Sequence, residues 1–318
     1  MGRLNNKVSL EKIGVIGTGG VGGYFGGKLC LNPAIKVYFI ARGAHLKAIQ
    51  EQGLILVTEE GTFTCKPTLA TDDFASLPVL DLALLCVKSY DLEAAIREAT
   101  DAFSEKTTII PLLNGVDIPE RIRKIVSAPC ILPACVYIGT HIESPGKIVQ
   151  KGGSCTITFG PDPIQRDFAL QDLFRLFDSS GIRYQWLDDP RPAIWTKFLF
   201  IAPFGLVTAC FDKTIGEVRE SEELRDLAVS IMREVHGLAL KKGIALPPSI
   251  IDDMLQTVAG FPYETRTSFQ RDFSDPNKPD EGDILGDAVL RLGRECGVPT
   301  PVAADILTRL QRQKKLDI

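Results

Sequence analysis

The chain has 318 residues, 45% hydrophobic and 24% charged, an ordinary globular composition with material for sizeable cores. That length is about twice a typical single domain, so two domains are expected. A formal charge of -4 and a pI near 5.6 give no electrostatic reason to expect nucleic acid or an anionic membrane as a partner.

Residues 1–10 read as a polar lead-in without the apolar stretch of a signal peptide. A short apolar run, Ile13 to Ile16, then stops at glycine, and Gly17-x-Gly19-x-x-Gly22 opens a segment that reads as a helix. In this pattern the first glycine makes the tight turn and the second lets the backbone approach a pyrophosphate. The third lets the helix pack closely on the strand. The unpaired amides at the positive end of that helix favour an anion. The alternative is a glycine-rich turn with no ligand.

The helix runs through Leu29 and ends near Asn32-Pro33. Lys36 to Ala41 reads as a second strand ending at Arg42-Gly43, and Ala44 to Gln52 as a helix stopped by Gly53. Leu54–Val57 and Thr62–Cys65 flank a polar Glu59-Glu60-Gly61 turn and read as a hairpin. Leu80 to Val87 is nearly unbroken apolar sequence, the pattern of a parallel strand buried on both faces, and it ends at Lys88. A helix from Leu92 to Ala102 leads to a strand from Thr107 to Leu113, which ends at Asn114-Gly115. Further strand-like runs are Ile131–Tyr137, Lys147–Lys151, Thr156–Gly160 and Gly181–Leu187, with a helix at Ala169–Phe177. Strands alternating with helices imply a right-handed, doubly wound parallel sheet.

Asp188-Asp189-Pro190-Arg191-Pro192 reads as a linker. Beyond it strand signals nearly vanish, and helical periodicity marks 193–210, 219–243, 247–259, 281–296 and 301–315. Thr300-Pro301 reads as a capped helix start. The expected architecture is α/β: a doubly wound parallel sheet over residues 1–188, followed by an all-helical domain over 189–318.

The eight cysteines (Cys30, Cys65, Cys86, Cys130, Cys135, Cys155, Cys210 and Cys296) form no CxxC pair, and several lie inside apolar runs. They read as small buried hydrophobes of a reducing compartment, not as a disulfide framework or metal site. No run is expected to approach the ~18 apolar residues that span a membrane. The sequence therefore reads as a cytoplasmic protein.

In an open parallel sheet, ligands sit outside the carboxyl ends of the strands. Four successive strand ends here carry Gly17, Arg42, Lys88 and Asn114. Arg42 stands where an NAD site has an acid for the ribose hydroxyl. A guanidinium there suits a 2′-phosphate and points to NADP(H), the alternative being a solvated loop arginine. Lys88 is either a solvated strand cap or a cation at the cofactor–substrate crevice. Asn114 either belongs to an Asn-Gly turn or reaches the nicotinamide ribose and the substrate.

Lys197 lies in Ile194-Trp195-Thr196-Lys197-Phe198-Leu199-Phe200-Ile201, a helix apolar nearly all round. An ammonium there must snorkel or be used, since burying it unpaired is costly. Desolvation makes a lysine a better proton donor to an oxyanion at neutral pH. Other donors are scarce, because the histidines are only His45, His141 and His236 and none has a convincing site context. Ser268 reads either as a turn cap or as a carboxylate ligand. Glu281 reads either as a first-turn acid favoured by the helix dipole or as a site residue.

Taken together, GTGGVG at 17–22, Arg42, VKSYD at 87–91, LLNGVD at 112–117, WTK at 195–197, TSFQRD at 267–272, DEGD at 280–283 and GVPTP at 297–301 resemble the ketopantoate reductase (2-dehydropantoate 2-reductase) family. The resemblance covers the chain after residue 11. It implies NADPH-dependent reduction of ketopantoate to pantoate, a step of pantothenate and coenzyme A biosynthesis, between a Rossmann domain and a helical domain. By this resemblance Gly17, Thr18, Gly19, Gly20, Val21 and Gly22 hold the pyrophosphate and Arg42 the 2′-phosphate. Lys197 is the general acid, Asn114 touches cofactor and substrate, Lys88 lines the same crevice, Ser268 binds substrate and Glu281 is the active-site glutamate. The implied partner is a small 2-oxo acid, with the protein a monomer or homodimer.

One departure stands out. The family places asparagines four and eight residues after the catalytic lysine, where this chain has Ile201 and Gly205. Two lost polar contacts weaken binding of a small hydroxy acid by about 1 kcal/mol or more each. Either other residues replace them, or the substrate is a more apolar 2-oxo acid. A third reading is an NADP(H)-binding sensor with a degenerate catalytic site.

Overall fold

The computed structural model describes residues 10–165, 170–275 and 278–316. Residues 1–9 of the lead-in expected over 1–10, and the expected helix start at Ala169, lie outside them. The chain divides into two compact units. One runs to Leu113 and resumes over Ile118–Pro190; the other gathers Asn114–Asp117 with Arg191 onward.

The first unit contains β1 (Lys12–Ile16), α1 (Gly20–Cys30), β2 (Lys36–Ile40), α2 (Gly43–Gln52), β3 (Leu54–Thr58), β4 (Gly61–Cys65), β5 (Leu69–Thr71), β6 (Leu82–Leu85), α3 (Leu92–Glu98), β7 (Thr108–Pro111) and α4 (Ile118–Arg123). It continues with β8 (Cys130–Ile131), β9 (Ala134–Val136), β10 (Thr140–Ser144), β11 (Lys147–Gln150), β12 (Thr156–Phe159), α5 (Leu170–Ser179) and β13 (Arg183–Trp186). Its principal sheet has the order β5-β2-β1-β6-β7-β8, with every pairing parallel. The last four residues of β1 and all of β6 and β7 are buried, as their uninterrupted apolar sequence requires. Because the strands are parallel, their carboxyl ends share one edge, and that edge leads into the glycine loop, Arg42 and Lys88.

Two smaller sheets were not foreseen. The expected hairpin of β3 and β4 belongs to a four-stranded sheet, β10-β11-β3-β4, in which β11 pairs parallel with β3. The single run expected over 131–137 is split, since β8 joins the principal sheet and β9 joins β12 and β13 in a third. Pro133 separates the two and has no N–H to continue a ladder. The expected helix Leu92–Ala102 is also shorter, ending at Glu98 before a 3-10 turn at Thr100–Ala102.

Helix α1 packs on both the principal sheet and the four-stranded one, which explains its glycine content. A β-carbon at Gly26 would lie 2.6 Å from Phe39 on β2, whereas one at Gly23 would lie 2.5 Å from Ile148 on β11. The helix opened by the glycine motif is therefore held on two sides by close backbone approach.

The second unit is helical: α6 (Arg191–Phe211), α7 (Ile215–Glu220), α8 (Glu222–Lys241), α9 (Ile250–Ala259), α10 (Ser268–Phe273), a π-helical stretch Asp283–Asp287, α11 (Ala288–Cys296) and α12 (Pro301–Leu316). The periodic segment 219–243 is mostly α8, and only Arg219 and Glu220 at its start belong to the end of α7. Ser221 begins α8 by accepting from the Leu224 N–H at 3.3 Å. At α12 the first-turn amides of Val302 and Ala303 donate to the Glu234 carboxylate at 2.7 and 3.0 Å, so the cap foreseen from Thr300 is supplied to them by another helix.

Helix α6 is the core of this unit and touches α7, α8, α9, α10, the π-helical stretch and α12. It corrects one expectation, because its 21 residues are long and apolar enough to cross a membrane by length and composition. Of its most apolar window, 72% is buried inside the fold, the burial of a core helix. The cysteines are buried or half-buried, and burial pushes the Cys65 thiol to about 11, which keeps it protonated and unreactive.

Candidate active site

In the helical unit, Lys197 sits in the second turn of α6 with only 9% of its surface exposed. Its Nζ donates to Asn114 Oδ1 at 2.8 Å. Asn114 lies in the four-residue segment that follows the first unit's β7 but packs with the helices. Gly115, at φ 118°, makes the turn there, and Asp117 anchors the segment through an ion pair to Arg291 on α11. Asp117 is 7% exposed, so breaking that pair leaves a buried charge without its partner. The segment is thus tied to α6 by Asn114 and to α11 by Asp117.

The Lys197 face of α6 continues through Ile201, Gly205 and Thr208, spaced by one turn each. Ile201 is half-buried. A β-carbon at Gly205 would meet Leu285 and Phe269 at 3.4 and 3.5 Å, so apolar carbon fills the space beside it. Thr208 Oγ1 donates to the Phe204 carbonyl at 2.6 Å and bonds Thr267 Oγ1 at 2.8 Å, fastening α6 to the start of α10. Thr267, not Ser268, is the cap of α10, accepting from the Gln270 N–H at 3.1 Å. Ser268 is exposed in the first turn. Glu281, read as a possible first-turn acid, is instead 4% exposed, just ahead of the π-helical stretch, and its carbonyl accepts from Leu285.

In the first unit, the Gly17 and Thr18 amides both donate to the Ile40 carbonyl, at 3.2 and 3.0 Å, which curls the loop against the end of β2. Gly17 adopts φ 92°, a conformation that favours glycine. A β-carbon at Gly19 would meet nothing within 4 Å, whereas one at Gly22 would lie 2.1 Å from the Gly17 carbonyl oxygen. The loop is thus open at Gly19 and closed at Gly22. This fits a dinucleotide, whose pyrophosphate would lie against Gly19 and the first turn of α1, formed by Gly20, Val21 and Gly22. Arg42 is exposed at the start of α2, with Nη1 3.7 Å from Asp91 Oδ1. Lys88 is half-buried and caps a 3-10 turn, Ser89–Asp91, three residues beyond β6.

Residues 13–163 match the model of the ketopantoate reductase PanE/ApbA family, and residues 189–314 match that of its C-terminal domain. The chain belongs to the ketopantoate reductase family. It is 26% identical to the 2-dehydropantoate 2-reductase of Mesorhizobium japonicum over 321 residues, covering 95% of this chain and 97% of that one. It is similar to the crystal structure of 2-dehydropantoate 2-reductase from Porphyromonas gingivalis W83, with 30% identity, TM-score 0.79 and coverage of 95% and 99%. It also shares its fold, at TM-score 0.83 and 20% identity over 96% of this chain and 100% of the other, with a D-mandelate dehydrogenase solved with NADH and anilino(oxo)acetate. As a ketopantoate reductase family member the protein is an oxidoreductase that works with a nicotinamide cofactor.

Sequence reading gave no role to Thr208, Thr267, Asp117 and Arg291, which hold the site residues. Asp117 and Thr267 lie inside the quoted LLNGVD and TSFQRD motifs, and Thr208 carried a signal as a hydroxyl on the Lys197 face of an apolar helix. His45, dismissed for lack of context, bonds directly to the glycine loop.

Proposed function

We propose that this protein reduces ketopantoate to pantoate with NADPH, using residues 1–188 as the cofactor domain and 189–318 as the catalytic domain. The observation that carries the reading is the buried Lys197 ammonium donating to Asn114 at 2.8 Å. A reduced nicotinamide, when bound, supplies hydride to the carbonyl carbon of a 2-oxo acid. Lys197 holds the proton that the developing alkoxide takes. Asn114 accepts one of the three ammonium hydrogens and so fixes the direction of the Lys197 side chain. Ser268 and Lys88 bind the substrate carboxylate, and Glu281 holds a hydroxyl or positions Lys197. Reaction in the cytosol belongs to the same proposal.

Arg42 at the end of β2 supports NADPH over NADH, since a guanidinium fork suits a phosphate. Arg42→Ala is expected to raise KM for NADPH by about ten- to a hundredfold, the loss of a charge-assisted contact, and to leave KM for NADH unchanged. Equal effects on both cofactors would remove the 2′-phosphate from the reading.

The test of function is oxidation of NADPH followed by absorbance with ketopantoate, pyruvate and a branched or aromatic 2-oxo acid as substrates. A second reading, a 2-oxo acid with an apolar side chain, is favoured by one observation. The helix face beyond Lys197 presents Ile201 and then Gly205 packed against Phe269 and Leu285. Under this reading Ile201→Asn improves kcat/KM for ketopantoate relative to the apolar acid by about tenfold, the worth of one hydrogen bond to a substrate hydroxyl. An unchanged ratio would show that position 201 does not set the preference.

A further inference from the structure

His45 lies in the first turn of α2, and its two ring nitrogens join segments far apart in the chain. Nε2 is 2.8 Å from the Thr18 carbonyl oxygen, and Nδ1 accepts from the Gly146 N–H at 3.0 Å. Since a carbonyl only accepts and an amide N–H only donates, the ring must carry its hydrogen on Nε2 and leave Nδ1 bare. Burial disfavours the charged imidazole, in keeping with that neutral tautomer. Gly146 is itself seated on α2, where a β-carbon would lie 2.8 Å from that of Ala48, and its carbonyl accepts from Ile55 of β3 at 2.8 Å. The ring therefore bridges the glycine loop to the turn between β10 and β11, which the four-stranded sheet holds in place.

We propose that His45 is a positioning residue for the cofactor, aiming the Thr18–Gly19 peptide at the pyrophosphate. A trans peptide is planar, and its C=O and N–H point in opposite directions. Pulling the Thr18 carbonyl toward His45 turns the Gly19 N–H the other way, and a β-carbon at Gly19 would meet nothing within 4 Å. The Thr18 amide and hydroxyl are both committed to the Ile40 carbonyl at 3.0 Å, so the imidazole supplies the remaining restraint on this residue. The inference rests on the reading that this loop binds the dinucleotide.

Two substitutions divide the ring into halves. The amide of His45→Gln reaches the place of Nε2 and can still donate to Thr18. That of His45→Asn reaches only the place of Nδ1 and can still accept from Gly146. NADPH titration of the full-length protein, with steady-state kinetics and thermal unfolding on the same samples, gives the readout. The expected result is that His45→Asn raises Kd and KM for NADPH about tenfold with kcat at saturation nearly unchanged, while His45→Gln stays within about threefold of the parent. Equal Kd values for all three proteins would overturn the proposal. So would equal weakening in both variants with a matching loss of thermal stability, the mark of a merely structural histidine. A parent protein that does not bind NADPH would instead remove the dinucleotide reading on which the inference stands.

Discussion

Replacing Lys197 with alanine is expected to lower kcat by about a thousandfold, within the range that a positioned general acid contributes. NADPH should still bind with a Kd close to that of the parent, because the glycine loop and Arg42 belong to the other compact unit. Alanine is the best helix former, so α6 keeps its backbone, and the loss falls on the ammonium and its bond to Asn114. His45 is engaged by Thr18 and Gly146, and His236 lies on α8 and His141 on β10. Single-turnover measurement of NADPH oxidation isolates the chemical step. Turnover near the parent value in Lys197→Ala would sink the assignment of the acid. Asn114→Ala should show a smaller loss, since it disorders the acid without removing it.

Gly22→Ala is expected to damage both fold and cofactor binding. The new methyl would lie 2.1 Å from the Gly17 carbonyl oxygen and 3.0 Å from Cys86 Cβ. Neither neighbour is the far end of a flexible side chain. The Gly17 peptide is pinned by its own N–H and that of Thr18, both donating to Ile40. Relief therefore means pushing α1 off β1 and β6 or breaking the loop, an overpacking cost of about 3 kcal/mol. Denaturant unfolding should show that loss, and NADPH binding should weaken by about a hundredfold or more as the helix start leaves the pyrophosphate position. Gly19→Ala is the control. Its β-carbon meets nothing within 4 Å, so stability should change by about 0.5 kcal/mol or less while a bound pyrophosphate is crowded directly. Normal stability and normal binding in Gly22→Ala would contradict the loop geometry.

The glycine loop and the strand-end residues were legible because their signals are local. An apolar run that stops at Gly17 and opens a helix can be read without knowing what surrounds it. Parallel strands carry their ends to one edge, so the strand-end positions of Gly17, Arg42, Lys88 and Asn114 are legible in the sequence, although Asn114 packs with the helices. Lys197 stood out because a charge in an apolar helix violates the expected pattern. The two smaller sheets were not legible, because a strand such as β11 earns its place only by pairing with β3, about ninety residues earlier. The same holds for side chains. Lys197 meets Asn114 across 83 positions, and His45 meets Gly146 across 101.

What the sequence determined alone, then, was the class of each half and a set of candidate reactive groups, since periodicity, turn chemistry and misplaced charge are properties of neighbouring residues. The tertiary structure decided which groups touch. It placed Asn114 with the helices, the cap of α10 on Thr267, apolar carbon beside Gly205 and a histidine behind the glycine loop. Those outcomes depend on packing between segments remote in the chain, and hydrogen bonds form only where packing brings donor and acceptor within about 3 Å.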